Sequence, residues 1–160
     1  MPIDINNFQR LGSSSNANVG SDFEGIAHDF FASQGIHLTR NYSAEVGVGT
    51  FKKHRRFDLG SSQPAVLVEC KSHRWTQGGN VPSAKITVWN EAMYYFHIAP
   101  SAYRKIFFVL KDSRREQSLA AYYLRLYGHL VPHDVEVWEY NLLDKTSDCL
   151  HLPHCPKSNA

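Results

Sequence analysis

RRFDLGSSQPAVLVECKSH, residues 55–73, runs from an aspartate through a short polar connection and an apolar stretch to an abrupt Glu69-Cys70-Lys71. Ala65-Val66-Leu67-Val68 reads as a buried strand, a short continuous apolar run bounded by turn residues. Side chains alternate along a strand, so Glu69 and Lys71 share one face, with Leu67 deeper on it, and Cys70 points to the other. The connection GSSQP is rich in turn formers, and a tight link there brings Asp58, at the end of the preceding strand (about 55–59), beside Glu69. A strand that only had to pack would gain nothing from two opposite charges where its apolar run ends.

Outward from this stretch the chain reads as one α/β domain. Upstream, Phe23, Ile26, Ala27, Phe30 and Phe31 follow helical spacing. Ser21 with Glu24 makes a capping-box start for this helix, and Gly35 is a suitable stop. Residues 37–48 are strand-like and lead through the basic turn GTFKKHRR into the strand that carries Asp58. Downstream, the loop SHRWTQGGNVPS precedes a helix near 83–98 with a buried stripe of Val88, Trp89, Ala92, Met93 and Phe96. KIFFVLK (105–111) is a buried strand, Leu119, Tyr122, Tyr123 and Leu126 mark a third helix, and DVEVWEY alternates as a last strand. The order α-β-β-β-α-β-α-β predicts an antiparallel meander followed by a parallel crossover, hence a mixed sheet flanked by helices. Residues 1–20 read as an N-terminal arm, 21–143 as the domain and 144–160 as a tail.

Composition bounds the function. One hundred and sixty residues suffice for a single core. No apolar run approaches the roughly 20 residues that span a bilayer, so no membrane role is expected. Three cysteines make no disulfide framework, which points to a reducing, cytoplasmic setting. The formal net charge of +2 is unevenly spread. Residues 40–74 hold seven Lys and Arg against three acids, whereas residues 1–39 hold one against four, so the basic excess surrounds the opening stretch.

Asp58 and Glu69 a few ångströms apart would repel, and each would favour protonation unless a cation sat between them. A hard divalent ion such as Mg²⁺ (or Mn²⁺) suits such oxygen ligands and keeps room for waters and phosphate oxygens. A neighbouring lysine orients or deprotonates a water, or offsets charge developing on a phosphate. Two acids and a lysine around a metal make a site for phosphodiester hydrolysis.

These residues carry a resemblance. Asp58, ten residues, then Glu69-Cys70-Lys71 resembles the signature of the PD-(D/E)XK nuclease superfamily, whose core order α-β-β-β-α-β is matched by residues 21–111. Phe57 stands where the family often has proline. The resemblance implies a restriction-endonuclease-like fold and a divalent-metal-dependent endonuclease, most readily on DNA. It makes Asp58, Glu69 and Lys71 catalytic. Asp58, Glu69 and the backbone carbonyl of Cys70 would hold Mg²⁺ or Mn²⁺, and Lys71 would position the attacking water. Glu24 is either a further ligand from the first helix or simply the capping-box glutamate. The competing explanation for the charges is a set of surface ion pairs, Glu69 with Lys71 or Asp58 with Arg56, worth about 0 to 1 kcal/mol.

Lys52, Lys53, Arg55 and Arg56 form the clearest basic patch and would hold nucleic-acid phosphates. Otherwise they decorate a solvated hairpin tip. His73, Arg74 and Lys85 lie close enough to Lys71 to contact the same strand. Nothing in the sequence resembles a recognition domain, so a homodimer or larger complex is expected wherever both strands of a duplex are cut. A non-catalytic nucleic-acid-binding or assembly module of the same fold, and a nuclease directed to RNA, remain open. In the tail, Cys149, His151, His154 and Cys155 are of zinc-ligand type, but they crowd into seven residues, and chance occurrence is the better reading.

Overall fold

The computed structural model describes residues 13–153, with side chains from Gly20 onward. Its elements are α1 (Ser13–Ser33), β1 (Thr39–Val46), β2 (Lys53–Ser62), β3 (Ala65–Lys71), α2 (Ser83–His97), β4 (Arg104–Leu110), β5 (Ser113–Arg114), β6 (Gln117–Ser118), α3 (Leu119–Tyr127), β7 (Val135–Asn141) and β8 (Thr146–His151). Six strands form one mixed sheet in the order β1-β2-β3-β4-β7-β8, while β5 and β6 make a small separate ladder. The meander β1-β2-β3 is antiparallel, and β3-β4 and β4-β7 are parallel. Each parallel step needs a crossover, which α2 and α3 supply. No helix among the described residues is long and apolar enough to cross a membrane.

The three central strands are buried almost throughout, as expected of strands covered on both faces. On one face Phe23, Ala27 and Phe31 of α1 pack against Val66, Val68, Ile106 and Phe108. On the other, Trp89, Met93 and Phe96 of α2 join Leu119, Ala120 and Tyr123 of α3 over Leu67, Phe107 and Val137. Ile86 rather than Val88 completes the buried stripe of α2, and Val88 is exposed at the cleft mouth.

Two sequence expectations are corrected. Helix α1 starts at Ser13, eight residues before Ser21, so Ser21 is an interior position and the Ser21/Glu24 capping box does not exist. Within the expected tail, residues 146–151 instead form edge strand β8 against β7. His151 Nδ1 lies 2.8 Å from the Val135 carbonyl oxygen, and the Cys149 thiol donates to the His151 carbonyl at 3.3 Å. His154 and Cys155 lie outside the described residues.

The meander has one irregularity that matters for the site. Tyr42 pairs with Phe57 and Arg40 with Leu59, leaving Asn41 opposite Asp58. Asn41 is in the left-handed region (φ 52°), which asparagine tolerates better than most residues. Phe57 packs on the α2 side of the sheet and Leu59 on the α1 side, so β2 changes face at Asp58. Just beyond, the Tyr42 ring crosses Gly60, where a Cβ would strike both the ring and its Cβ, and the Tyr42 hydroxyl lies 3.0 Å from that of Tyr103. Gly60→Ala is therefore expected to destabilise the fold by about 1 to 2 kcal/mol through overpacking. Urea unfolding reads this directly, and an unchanged midpoint would show that Tyr42 can move aside.

Candidate active site

The turn of face at Asp58 aims its carboxylate at the adjacent strand. Pairing of β2 with β3 stops at Leu59–Val68. Beyond it, the amide of Cys70 donates to Asp58 Oδ2 at 2.7 Å, in place of a backbone acceptor. Asp58 Oδ1 has no hydrogen-bond partner among the described residues. A side chain thus closes the ladder where β2 and β3 part, and the parting opens a cleft of about 720 Å³. Glu24, Asp58, Cys70, Lys71, His73 and Lys85 are among its lining residues. The cleft lies beyond the C-terminal end of β3, the end of an open sheet at which α/β proteins bind ligands.

Glu24 reaches the cleft from inside α1 rather than from its cap. Its carboxyl is held above the ordinary range by burial first and by the charge of Asp58 second, with Arg40 and Lys71 opposing. Glu69 is almost fully buried and lies on the α2 side. Its oxygens are held by Arg55 Nη2 at 3.1 Å and Lys71 Nζ at 3.3 Å. Burial, then Asp58, pushes its carboxyl up to about 7 against the pull of Lys71 and Arg55. The Cys70 thiol, turned to the other face, is pushed up by burial and by the same carboxylates. Asp58 is thus the charge that Glu24, Glu69 and Cys70 all feel.

The sequence-predicted residues separate into two groups. Asp58, Lys71, Glu24, His73, Arg74 and Lys85 come together along the cleft, and Glu69 stands directly behind Lys71. Arg55 is a correction. Strand alternation turns it to the α2 side, where its guanidinium lies 3.6 Å from the Tyr95 ring centroid and binds Glu69, so it is engaged internally rather than offered to nucleic acid. Lys52, Lys53 and Arg56 are exposed.

His73 has a defined tautomer. The indole Nε1–H of Trp89 can only donate, and it lies 2.7 Å from His73 Nδ1, so that nitrogen is unprotonated and Nε2 carries the hydrogen. Burial, with Lys85 and Lys71 nearby, lowers its pKa to about 4. At neutral pH His73 is an uncharged donor between two lysines. The loop that carries it is tied down by Asp112, which accepts from the Trp75 amide at 2.8 Å and contacts Arg74 at 3.4 Å.

Two contributors escaped the sequence reading. Asp112 follows β4 far along the chain, and Arg40 lies against α1 where a Cβ on Gly25 would meet its guanidinium, beside Glu24. Neither lies in a local pattern, and only the packed sheet shows them.

For a divalent cation, the donors fit in kind: hard carboxylate oxygens whose mutual repulsion a cation would relieve, with one Asp58 oxygen that has no hydrogen-bond partner among the described residues. Among the described residues, however, no three Asp, Glu, His or Cys side chains converge into a ready ligand group. Glu69 is held back by its two cations. No protein-family model, no curated protein and no solved structure matches the chain.

Proposed function

We propose that the protein is a divalent-metal-dependent nuclease of the PD-(D/E)XK type with a restriction-endonuclease-like fold, acting on phosphodiesters, most readily in DNA. The observation that carries this reading is the Asp58 carboxylate bonded to the Cys70 amide at 2.7 Å, one residue from both Glu69 and Lys71, at the floor of a cleft rimmed by lysines. A structural ion pair accounts for Glu69 and Arg55. It does not account for Asp58 and Glu24 facing the same open cleft.

In this reading Asp58, Glu69 and the Cys70 carbonyl would hold Mg²⁺ or Mn²⁺, with Glu24 as a further ligand from α1. The bound cation would supply a water of lowered pKa and a Lewis acid for the phosphate. Lys71 releases Glu69 and turns its ammonium to the attacking water and the phosphate oxygens. Lys85 neutralises the flanking phosphate, and His73 donates Nε2–H to an oxygen without adding charge.

Lys71→Ala is expected to lower metal-dependent cleavage of supercoiled plasmid at least a hundredfold. The assay is run on plasmid, single-stranded DNA and RNA, with Mg²⁺, with Mn²⁺ and with EDTA. Cutting that survives in the variant would reject Lys71 as the catalytic lysine. Salt-sensitive DNA binding without any cutting would favour a binding module of the same fold.

A further inference from the structure

The loop between β3 and α2 forms one wall of the cleft, with His73, Arg74, Thr76, Gln77 and Pro82 among its lining residues. It is tightly braced. Thr76 Oγ1 accepts from the Asn80 amide at 2.8 Å and donates to the Asn80 carbonyl at 3.0 Å, and the Gly79 amide donates to the Thr76 carbonyl at 2.8 Å. Asp112 then joins this loop to the β5–β6 hairpin. Its backbone carbonyl accepts from the Trp75 indole at 3.1 Å and from the Leu119 amide at 2.9 Å, so the loop and the base of the hairpin share one acceptor.

The hairpin touches the loop through an arginine and a glycine. Gly79 has φ 71°, in the left-handed region, and a Cβ there would collide with the Arg114 guanidinium. The guanidinium thus rests on the glycine, two residues past the cleft-lining Gln77. Arg115 and Glu116, which link the paired Arg114 and Gln117, have φ 49° and 64°. Such two-residue turns usually take Asn or Gly, so this one holds two side chains in a conformation they disfavour. Arg114 is half-buried, yet it has no hydrogen-bond or ion-pair partner among the described residues, and none of its nitrogens is sealed from solvent. Asp112, close by in the chain, is already engaged by the Trp75 amide and by Arg74. A guanidinium held in place by packing, with its donors unspent, is placed to take an anion.

We infer that Arg114 binds a backbone phosphate of DNA where the strand leaves the cleft over the β3–α2 loop. This rests on the nuclease reading of the cleft and adds the direction in which the substrate runs. The two walls differ in charge. α1 carries Asp22, Glu24 and Asp29 and no lysine or arginine, which disfavours a phosphate backbone along it. The loop wall carries Arg74 and, at the start of α2, Lys85. A strand anchored at Lys71 therefore turns toward the loop and meets Arg114 beyond Gln77. A pre-positioned fork of donors loses little freedom on binding, unlike an exposed lysine.

Binding in EDTA reads the contact without turnover, and cleavage with Mg²⁺ is followed beside it. The probe is a short fluorescein-labelled DNA duplex of mixed sequence, read by anisotropy across a salt series. Arg114→Gln is expected to weaken binding about tenfold and to reduce the salt slope by about one. Arg114→Lys keeps the charge but loses the fork, and should recover only part of the affinity. Arg115→Gln removes the same charge from the exposed tip next to it, and should weaken binding by no more than about threefold. Thermal midpoints should stay with the parent, since these side chains support no core. If Arg114→Gln loses thermal stability, Arg114→Lys decides, and parental affinity in that variant overturns the contact. Equal losses in Arg114→Gln and Arg115→Gln would show diffuse attraction and overturn it too. If Arg114→Gln binds like a parent that cuts DNA, the contact is overturned and the nuclease reading stands. If Arg114→Gln loses binding as expected but the parent cuts nothing, the contact stands and the nuclease reading falls. A parent without salt-sensitive affinity for the duplex overturns the contact outright.

Discussion

Asp58→Asn is expected to lower metal-dependent cleavage by three orders of magnitude or more, about 4 kcal/mol of transition-state stabilisation, while the fold survives. The two roles of this side chain separate cleanly in that variant. As a hydrogen-bond acceptor, Asp58 Oδ2 takes the Cys70 amide where β2 and β3 part, and the asparagine carbonyl oxygen can do the same. As a charge, Asp58 raises Glu24 and Glu69 and lines the cleft as a carboxylate, and asparagine can do neither well. Asp58→Ala removes both roles and should cost a further 1 to 2 kcal/mol of stability, because the Cys70 amide loses its acceptor. Cleavage rates and urea midpoints of the two variants check this. A tenth or more of parental activity in Asp58→Asn would remove Asp58 from the metal site. Equal stability of the two variants would show that water replaces the carboxylate at Cys70.

The sequence carried the sheet and the floor of the cleft because both follow short-range rules. A continuous apolar run ending in Glu69-Cys70-Lys71 sits on a strand by periodicity, and GSSQP leaves a hairpin little choice of partner. Structure departs from sequence where alternation breaks. Period-two reasoning puts Phe57 and Leu59 on one face, but the left-handed Asn41 opposite Asp58 lets β2 switch faces, and this switch frees the Asp58 carboxylate. Glu24 shows a different failure. The Ser21/Glu24 pattern is a sound helix start, but Ser13–Gly20 continue the helix upstream, and the glutamate's place at the cleft is set by how α1 crosses β3. Arg55 was read with its basic run as a phosphate contact, although alternation already put it on the face of Phe57. The run spans both faces of a strand, and one of its arginines had to turn inward.

That inward arginine gives the second large effect, which depends on pH. Arg55→Ala is expected to cost about 3 kcal/mol at pH 8 and about 1 kcal/mol at pH 5. The smaller figure is the lost contact with the Tyr95 ring, 3.6 Å from the guanidinium, and it is the same at both pH values. The remainder comes from Glu69. Its carboxyl is raised from 4.5 to about 7 in the folded protein, so the folded state holds its proton more tightly than the unfolded chain does. Stability from that proton is full below pH 4.5 and is lost as pH rises to 7, by about 3 kcal/mol in the parent at 1.36 kcal/mol per pH unit. At pH 5 Glu69 is neutral and does not need Arg55. At pH 8 it is charged, buried and left with Lys71 alone, so the loss of stability with pH becomes deeper and extends to higher pH. Urea unfolding of the parent, Arg55→Ala and the pair Arg55→Ala/Glu69→Gln at both pH values measures this, and the double variant should show no growth of the cost with pH. An equal cost of Arg55→Ala at pH 5 and pH 8 would mean that Arg55 holds the Tyr95 ring and not the charge. Growth of that cost would show why Glu69 is guarded by two cations: a carboxylate kept dry behind Lys71 needs a positive partner, and a metal arriving in the cleft would have to replace Arg55 or Lys71 in that role.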